Sequence, residues 1–123
     1  DKKVMKQLTK AEEEVMQLLW VAKKANVATL IDKMPEPKPA YNTISTIIRI
    51  LENKGFVGHE KEGRGYLYYP LVTKEVYSND SMHKMMDSYF NGSFKSMVSF
   101  FVKKNDVGVQ DLEAILKEIN KND

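Results

Sequence analysis

Asn42, Ser45, Thr46 and Arg49 recur at i, i+3, i+4 and i+7 within residues 40–55. On a helix those positions share one face. The face offers short hydrogen-bonding side chains and one guanidinium, without the Glu/Lys mixture that solvates most surface helices. Such groups can approach base edges and phosphate oxygens closely. The Asn42 amide suits the edge of adenine, Arg49 suits phosphate or a guanine edge, and the methyl groups of Thr43 and Thr46 suit that of thymine. Ile44, Ile47, Ile48 and Leu51 repeat with the same spacing on the other side, which predicts the buried stripe of the same helix. A helix that is greasy on one flank and compactly polar on the other points to a DNA groove.

The flanking sequence supplies the elements that would position it. Thr9-Lys-Ala-Glu12 reads as a capping box. The helix it opens is expected to bury Ala11, Val15, Leu18, Leu19 and Ala22, with Trp20 closing an edge and Leu8 stapled onto the first turn. A shorter helix is expected from Val27 or Ala28 to Met34, with Leu30, Ile31 and Met34 apolar. Pro35, Pro37 and Pro39 then forbid continuation, since each removes a donor and restricts its predecessor. The groove-reading helix follows and ends at Gly55, a natural left-handed C-cap. Residues 56–61 and 66–71 are strand-like, joined by the glycine-bearing turn Glu62-Gly-Arg-Gly65. Helix, helix, Pro-rich turn, helix and hairpin are the order of a winged helix-turn-helix. Arg64 at the hairpin tip, with Lys61 beside it, would reach minor groove or backbone. Lys10, at the start of the first helix, would add a phosphate contact.

From Thr73 onward only helices are expected. Met82, Met85, Met86, Tyr89 and Phe90 lie on the first, which stops at Asn91-Gly92. Phe94, Met97, Val98 and Phe101 stripe the second, and Leu112, Ile115, Leu116 and Ile119 the third. Wide apolar faces on three short helices have little of their own to pack against, so a second copy of the chain is the expected cover. The fold class is therefore mainly α with a small β-hairpin. A winged-helix DNA-binding domain (residues 1–72) precedes a helical dimerisation domain (residues 73–123).

Other chemistry is poorly served. With no cysteine, disulfide frameworks and thiolate metal sites are excluded. The two histidines, His59 and His83, lack metal-ligand spacing to any other candidate. There is no phosphate-cradling glycine loop and no nucleophile elbow, so the chain is not read as an enzyme, and neither metal nor cofactor is expected. Glu12, Glu13 and Glu14 sit where a helix dipole favours acids. Tyr66, Tyr68 and Tyr69 belong to too small a sheet for a base-stacking platform, and at least one should pack inward. No apolar run reaches the ~18 residues of a membrane span, and no signal-peptide pattern precedes the first helix. The net charge of +2 is too small to argue for nucleic acid alone, though basic residues outnumber acidic ones only in the first 72 residues.

The ordered set Leu8-Thr9-Lys-Ala-Glu12, Val15-Met16, Trp20, Asn42-Thr43-Ile44-Ser45-Thr46, Leu51 and Lys54-Gly55-Phe56 resembles the penicillinase and methicillin-resistance repressor family. So do Lys61-Glu-Gly-Arg64, Tyr68 to Pro70, and Asn91-Gly-Ser-Phe-Lys-Ser-Met-Val98, so that the likeness spans essentially the whole chain. It implies a bacterial, cytoplasmic, homodimeric repressor that binds inverted-repeat operators in double-stranded DNA and controls resistance genes. By position, Asn42, Thr43, Ser45 and Thr46 match the family's DNA-reading segment. Family repressors of β-lactam resistance are cleaved at an Asn-Phe bond; here Phe100 stands where the Asn would be, so a sensor protease as partner stays open. The copper-responsive branch needs cysteines that this chain lacks. The alternative reading is a winged-helix protein-interaction module without sequence-specific DNA binding.

Overall fold

The computed structural model describes residues 5–121. In chain order the elements are α1 (Lys10–Ala22), α2 (Val27–Asp32), α3 (Tyr41–Asn53), β1 (Val57–Glu62), β2 (Gly65–Pro70), α4 (Lys74–Phe90), α5 (Phe94–Lys104) and α6 (Val109–Lys121). The architecture is mostly helical with one antiparallel hairpin.

The capping box opens α1 as expected: the Thr9 hydroxyl accepts from the Glu12 amide at 3.2 Å, and the Glu12 carboxylate accepts from the Thr9 amide at 3.1 Å. The buried face, however, is Glu12, Val15, Met16 and Leu19. Ala11, expected inside, is exposed, and Leu18 and Ala22 are only half-buried. Met16 has far more apolar surface to bury than Ala11 and takes the inner position. The Glu12 carboxylate turns inward on the same face, meeting Lys54 at 2.6 Å as well as the Thr9 amide. Met16 then joins Leu30, Ile48 and Leu51 among the fully enclosed side chains. Burying each such side chain contributes roughly 1.5–3 kcal/mol.

Helix α2 ends at Asp32 rather than Met34. Its last carbonyls receive a donor from beyond the helix, because Lys38 Nζ donates to Asp32 O at 2.8 Å and Ile31 O at 3.3 Å, and also to Met34 O, past the helix end, at 2.8 Å. That lysine ties the Pro-rich turn back onto α2. The turn delivers the chain to α3, whose Ile44, Ile48 and Leu51 enter the core with Ile47 half-buried beside them. Gly55, at φ +83°, stops α3, and the Phe56 amide returns to the Leu51 carbonyl at 2.9 Å.

In the hairpin Val57 pairs with Pro70 and Glu62 with Gly65, leaving Gly63-Arg64 as a two-residue loop. Gly63, at φ +58°, holds the first loop position, where the right-handed strand twist calls for a positive φ. Ala25, between α1 and α2, bridges Tyr68 through bonds of 2.8 and 3.0 Å and so pins β2 to the helical layer. Phe56 precedes the strand and serves as a core plug instead, packed edge-on against Tyr77 with ring centroids 5.6 Å apart. Trp20 closes the same edge, donating to Val72 O at 2.9 Å and lying 5.9 Å from the Tyr77 ring.

The chain divides into two compact units, Asp1–Asp80 and Ser81–Asp123, so that the opening turns of α4 belong with the first. In the second unit α4 stops at Asn91, and the Ser93 side chain caps α5 by accepting from the Ser96 amide at 3.1 Å. Neither α5 nor α6 contains a buried residue. Met82, Met85, Tyr89, Phe94, Phe101, Ile115, Leu116 and Ile119 are exposed, while Met86, Phe90, Met97, Val98 and Leu112 are half-buried.

Candidate nucleic-acid interface

Helix α3 shows its polar side in three strips. Asn42 and Thr46 form an exposed crest. The Thr46 hydroxyl donates to the Asn42 carbonyl at 2.8 Å, so its proton is engaged and its methyl group remains for an incoming partner. On the wing side, Tyr41, Ser45, Arg49 and Glu52 wall an open cleft. On the other side, Thr43 borders an apolar hollow with Leu18, Met34, Ile47 and the three prolines of the turn.

The cleft holds about 660 Å³ and is completed by His59, Arg64, Gly65, Tyr66 and Tyr68 from the hairpin, with Asn26 to Ala28 at its end. It brings Arg49 and Arg64 to one concavity although they are distant in sequence. Two guanidiniums against one carboxylate, that of Glu52, leave the lining with a positive balance that suits an anion. Lys61 is exposed on β1, and Lys10 is exposed as the first residue of α1; neither lines the cleft.

Of the cleft lining, Ser45, Arg49 and Arg64 were singled out as site residues from sequence; Tyr41, Glu52, His59, Tyr66 and Tyr68 are among those that were not. Glu52 lies three residues beyond Arg49, so helical spacing alone places them together. His59 alternates with Val57 and Lys61 on β1, and Val57 is buried, which marks that face as the one turned towards α3. His59 Nδ1 lies 2.5 Å from Glu52 Oε2. Tyr68 packs against the core as the inward tyrosine of the hairpin. Burial first, and the Glu52 carboxylate second, push its hydroxyl above the ordinary tyrosine value, so it remains a neutral donor.

Among the described residues no group of His, Cys, Asp and Glu could hold a metal ion, and no helix is long and apolar enough to cross a membrane.

A helical trio with a flanking hairpin and a cleft between the third helix and that hairpin defines a winged helix-turn-helix protein. The chain belongs to the penicillinase repressor family, whose profile matches residues 8–121. It is 29% identical over 116 residues to the methicillin resistance regulatory protein MecI of Staphylococcus aureus (strain N315), covering 94% of each chain. It is also 29% identical over 120 residues to the penicillinase repressor of Bacillus licheniformis, again covering 94% of each. Among solved structures, the solution structure of the DNA binding domain of the repressor BlaI matches with a TM-score of 0.52 and 32% identity, covering 63% of this chain and 94% of that one. Bacillus licheniformis BlaI in monomeric form, in complex with the blaP half-operator, matches with a TM-score of 0.50 and 31% identity, covering 59% and 90%. The family and the winged-helix class are those the sequence motifs led one to expect.

Proposed function

We propose that this chain is a transcriptional repressor that binds double-stranded DNA as a homodimer, at inverted-repeat operators, with resistance genes the class it controls. The observation that carries the reading is the exposed α3 crest of Asn42 and Thr46 beside a cleft that Arg49 and Arg64 both line. Asn42, Thr43, Ser45 and Thr46 read base edges in the major groove, and Arg49 anchors phosphate or guanine. Arg64 and Lys61 on the wing, and Lys10 at the head of α1, contact the backbone. The first compact unit reads DNA and the second pairs with its copy, each dimer spanning two half-sites. The relatives named above, a penicillinase repressor and a methicillin resistance regulator, support repression as the outcome.

The decisive experiment is a footprint on the DNA upstream of the protein's own gene. Two protected half-sites about one helical turn apart, or a multiple of it, are expected. Equal affinity for random and upstream duplexes, together with tight binding to a protein, would favour an interaction module instead. Within the footprinted site, Asn42→Ala and Thr46→Ala are each expected to cost about 1–2 kcal/mol against the cognate duplex and little against random DNA. Arg64→Ala should weaken both duplexes alike and make the salt slope shallower by about 0.9. Competition binding at several salt concentrations reads all three, and uniform losses from all of them would contradict the assignment of α3.

A further inference from the structure

The groove-reading scheme gives no role to two ionisable cleft residues that touch each other, His59 and Glu52. The His59 ring lines the wall opposite α3, with Nδ1 at 2.5 Å from Glu52 Oε2. A carboxylate only accepts, so Nδ1 is the donor in this contact. A neutral imidazole carries a single N–H, and Nε2 is then a bare lone pair. The ring is also held edge-on by Tyr66 and Tyr68, with centroids 4.8 and 6.0 Å away. Its orientation is therefore fixed from the helix and from β2 together.

In a cleft that receives phosphate oxygens this arrangement is mismatched twice over. The Nε2 lone pair would meet another acceptor, and Glu52 sets a negative charge in the same wall as Arg49. One proton from solvent at Nε2 removes both mismatches. We propose that His59 is a phosphate-binding residue of the wing, which takes up a proton as duplex DNA enters the cleft, with Glu52 as the positioning residue behind it. The imidazolium then donates through Nε2 to phosphate and through Nδ1 to the carboxylate, a cation between two anions. The inference rests on the DNA-binding reading.

The charged and titratable groups around the ring are Glu52, Arg49 and Tyr41 on α3, Lys61 on β1, Arg64 in the turn, and Tyr66 and Tyr68 on β2. Among these residue types, histidine is the one that ordinarily changes charge near neutrality. His83 on α4 is the other histidine and provides the control.

Phosphate contacts are independent of sequence, so the probe is a labelled random-sequence duplex at low salt, titrated with the full chain by fluorescence anisotropy. Wild type is expected to bind about tenfold more tightly near pH 6 than near pH 8. His59→Gln should bind with the weaker affinity at both, and its salt slope near pH 6 should be shallower than wild type by about 0.9. Glu52→Gln should reduce the pH dependence, and His83→Gln should keep it. His59→Asn, checked by circular dichroism for native helix content, repeats the first substitution with a smaller amide. Tight wild-type binding with a flat pH profile overturns the inference alone, as does a slope that survives both His59 variants. Absence of duplex binding at every pH overturns it together with the DNA-binding reading.

Discussion

Leu116→Glu on α6 is expected to yield a folded monomer whose affinity for a two-half-site operator is about 10²- to 10³-fold below wild type. Leu112, Ile115, Leu116 and Ile119 fall at i, i+3, i+4 and i+7, and the last three are each more than half exposed in the single chain. A side chain of that size gains roughly 1.5–3 kcal/mol when water is removed from it, and the three C-terminal helices present many such side chains at once. A carboxylate amid that surface would stay charged and uncompensated, which opposes association. The first unit has its own core, so its fold should survive. What is lost is the tethering of a second reading helix to the first, which sets the size of the effect. Sedimentation equilibrium at micromolar protomer would show the change of state, and anisotropy on whole and half operators would show the affinity. Wild type sedimenting as a monomer, or the variant binding the whole operator as tightly as wild type, would sink the proposed pairing.

Local signals were legible in the sequence because their physics is local. The capping box at Thr9 and Glu12, the stop at Gly55 and the glycine turn around Arg64 each involve residues within a few positions of one another. The two stripes of α3 were equally plain, since helical periodicity needs no tertiary information. Contacts between distant residues were not visible. Glu12 faces inward onto Lys54, 42 positions away, on the same buried face as Met16, while Ala11 is left exposed. Within the polar stripe of α3, Ser45 and Arg49 face the wing, while Thr43, expected from the sequence as a further reading residue outside that stripe, falls on the opposite flank. Glu52 and His59 are only seven residues apart, but they meet across two elements, and without a metal-like spacing nothing local marked them as partners. Phe56 reads as the start of a strand because aromatic residues favour strands; the return of its amide to Leu51 and the Tyr77 ring beside it make it a plug.

The same hidden pair governs stability. Lys54→Met is expected to destabilise the fold by about 2–3 kcal/mol near pH 7, measured by urea denaturation at fixed protomer concentration. Lys54 closes the C-terminal end of α3 and reaches Glu12 at 2.6 Å and Gln7 O at 3.2 Å, holding the reading helix against the head of α1. The Glu12 side chain is only 7% exposed and the Lys54 side chain 21% exposed, so water replaces the missing partner poorly. Glu12→Gln should cost less, about 1 kcal/mol, because an amide oxygen can still accept from Thr9 and the lysine left behind is the more exposed partner. Acid titration supplies the independent check. Burial pushes the Glu12 carboxyl up, but the Lys54 ammonium and the Thr9 amide outweigh it and hold the group below its ordinary value of 4.5. An acid whose folded value is depressed binds fewer protons folded than unfolded. The stabilisation is therefore complete above that ordinary value and is lost as pH falls through the folded one. In Lys54→Met burial acts with less opposition, the carboxyl moves upward, and acidification relieves part of its penalty. The gap between wild type and variant should accordingly narrow from about pH 7 to about pH 4. A gap that stays constant would mean that Lys54 acts through its packed methylene stem rather than its charge.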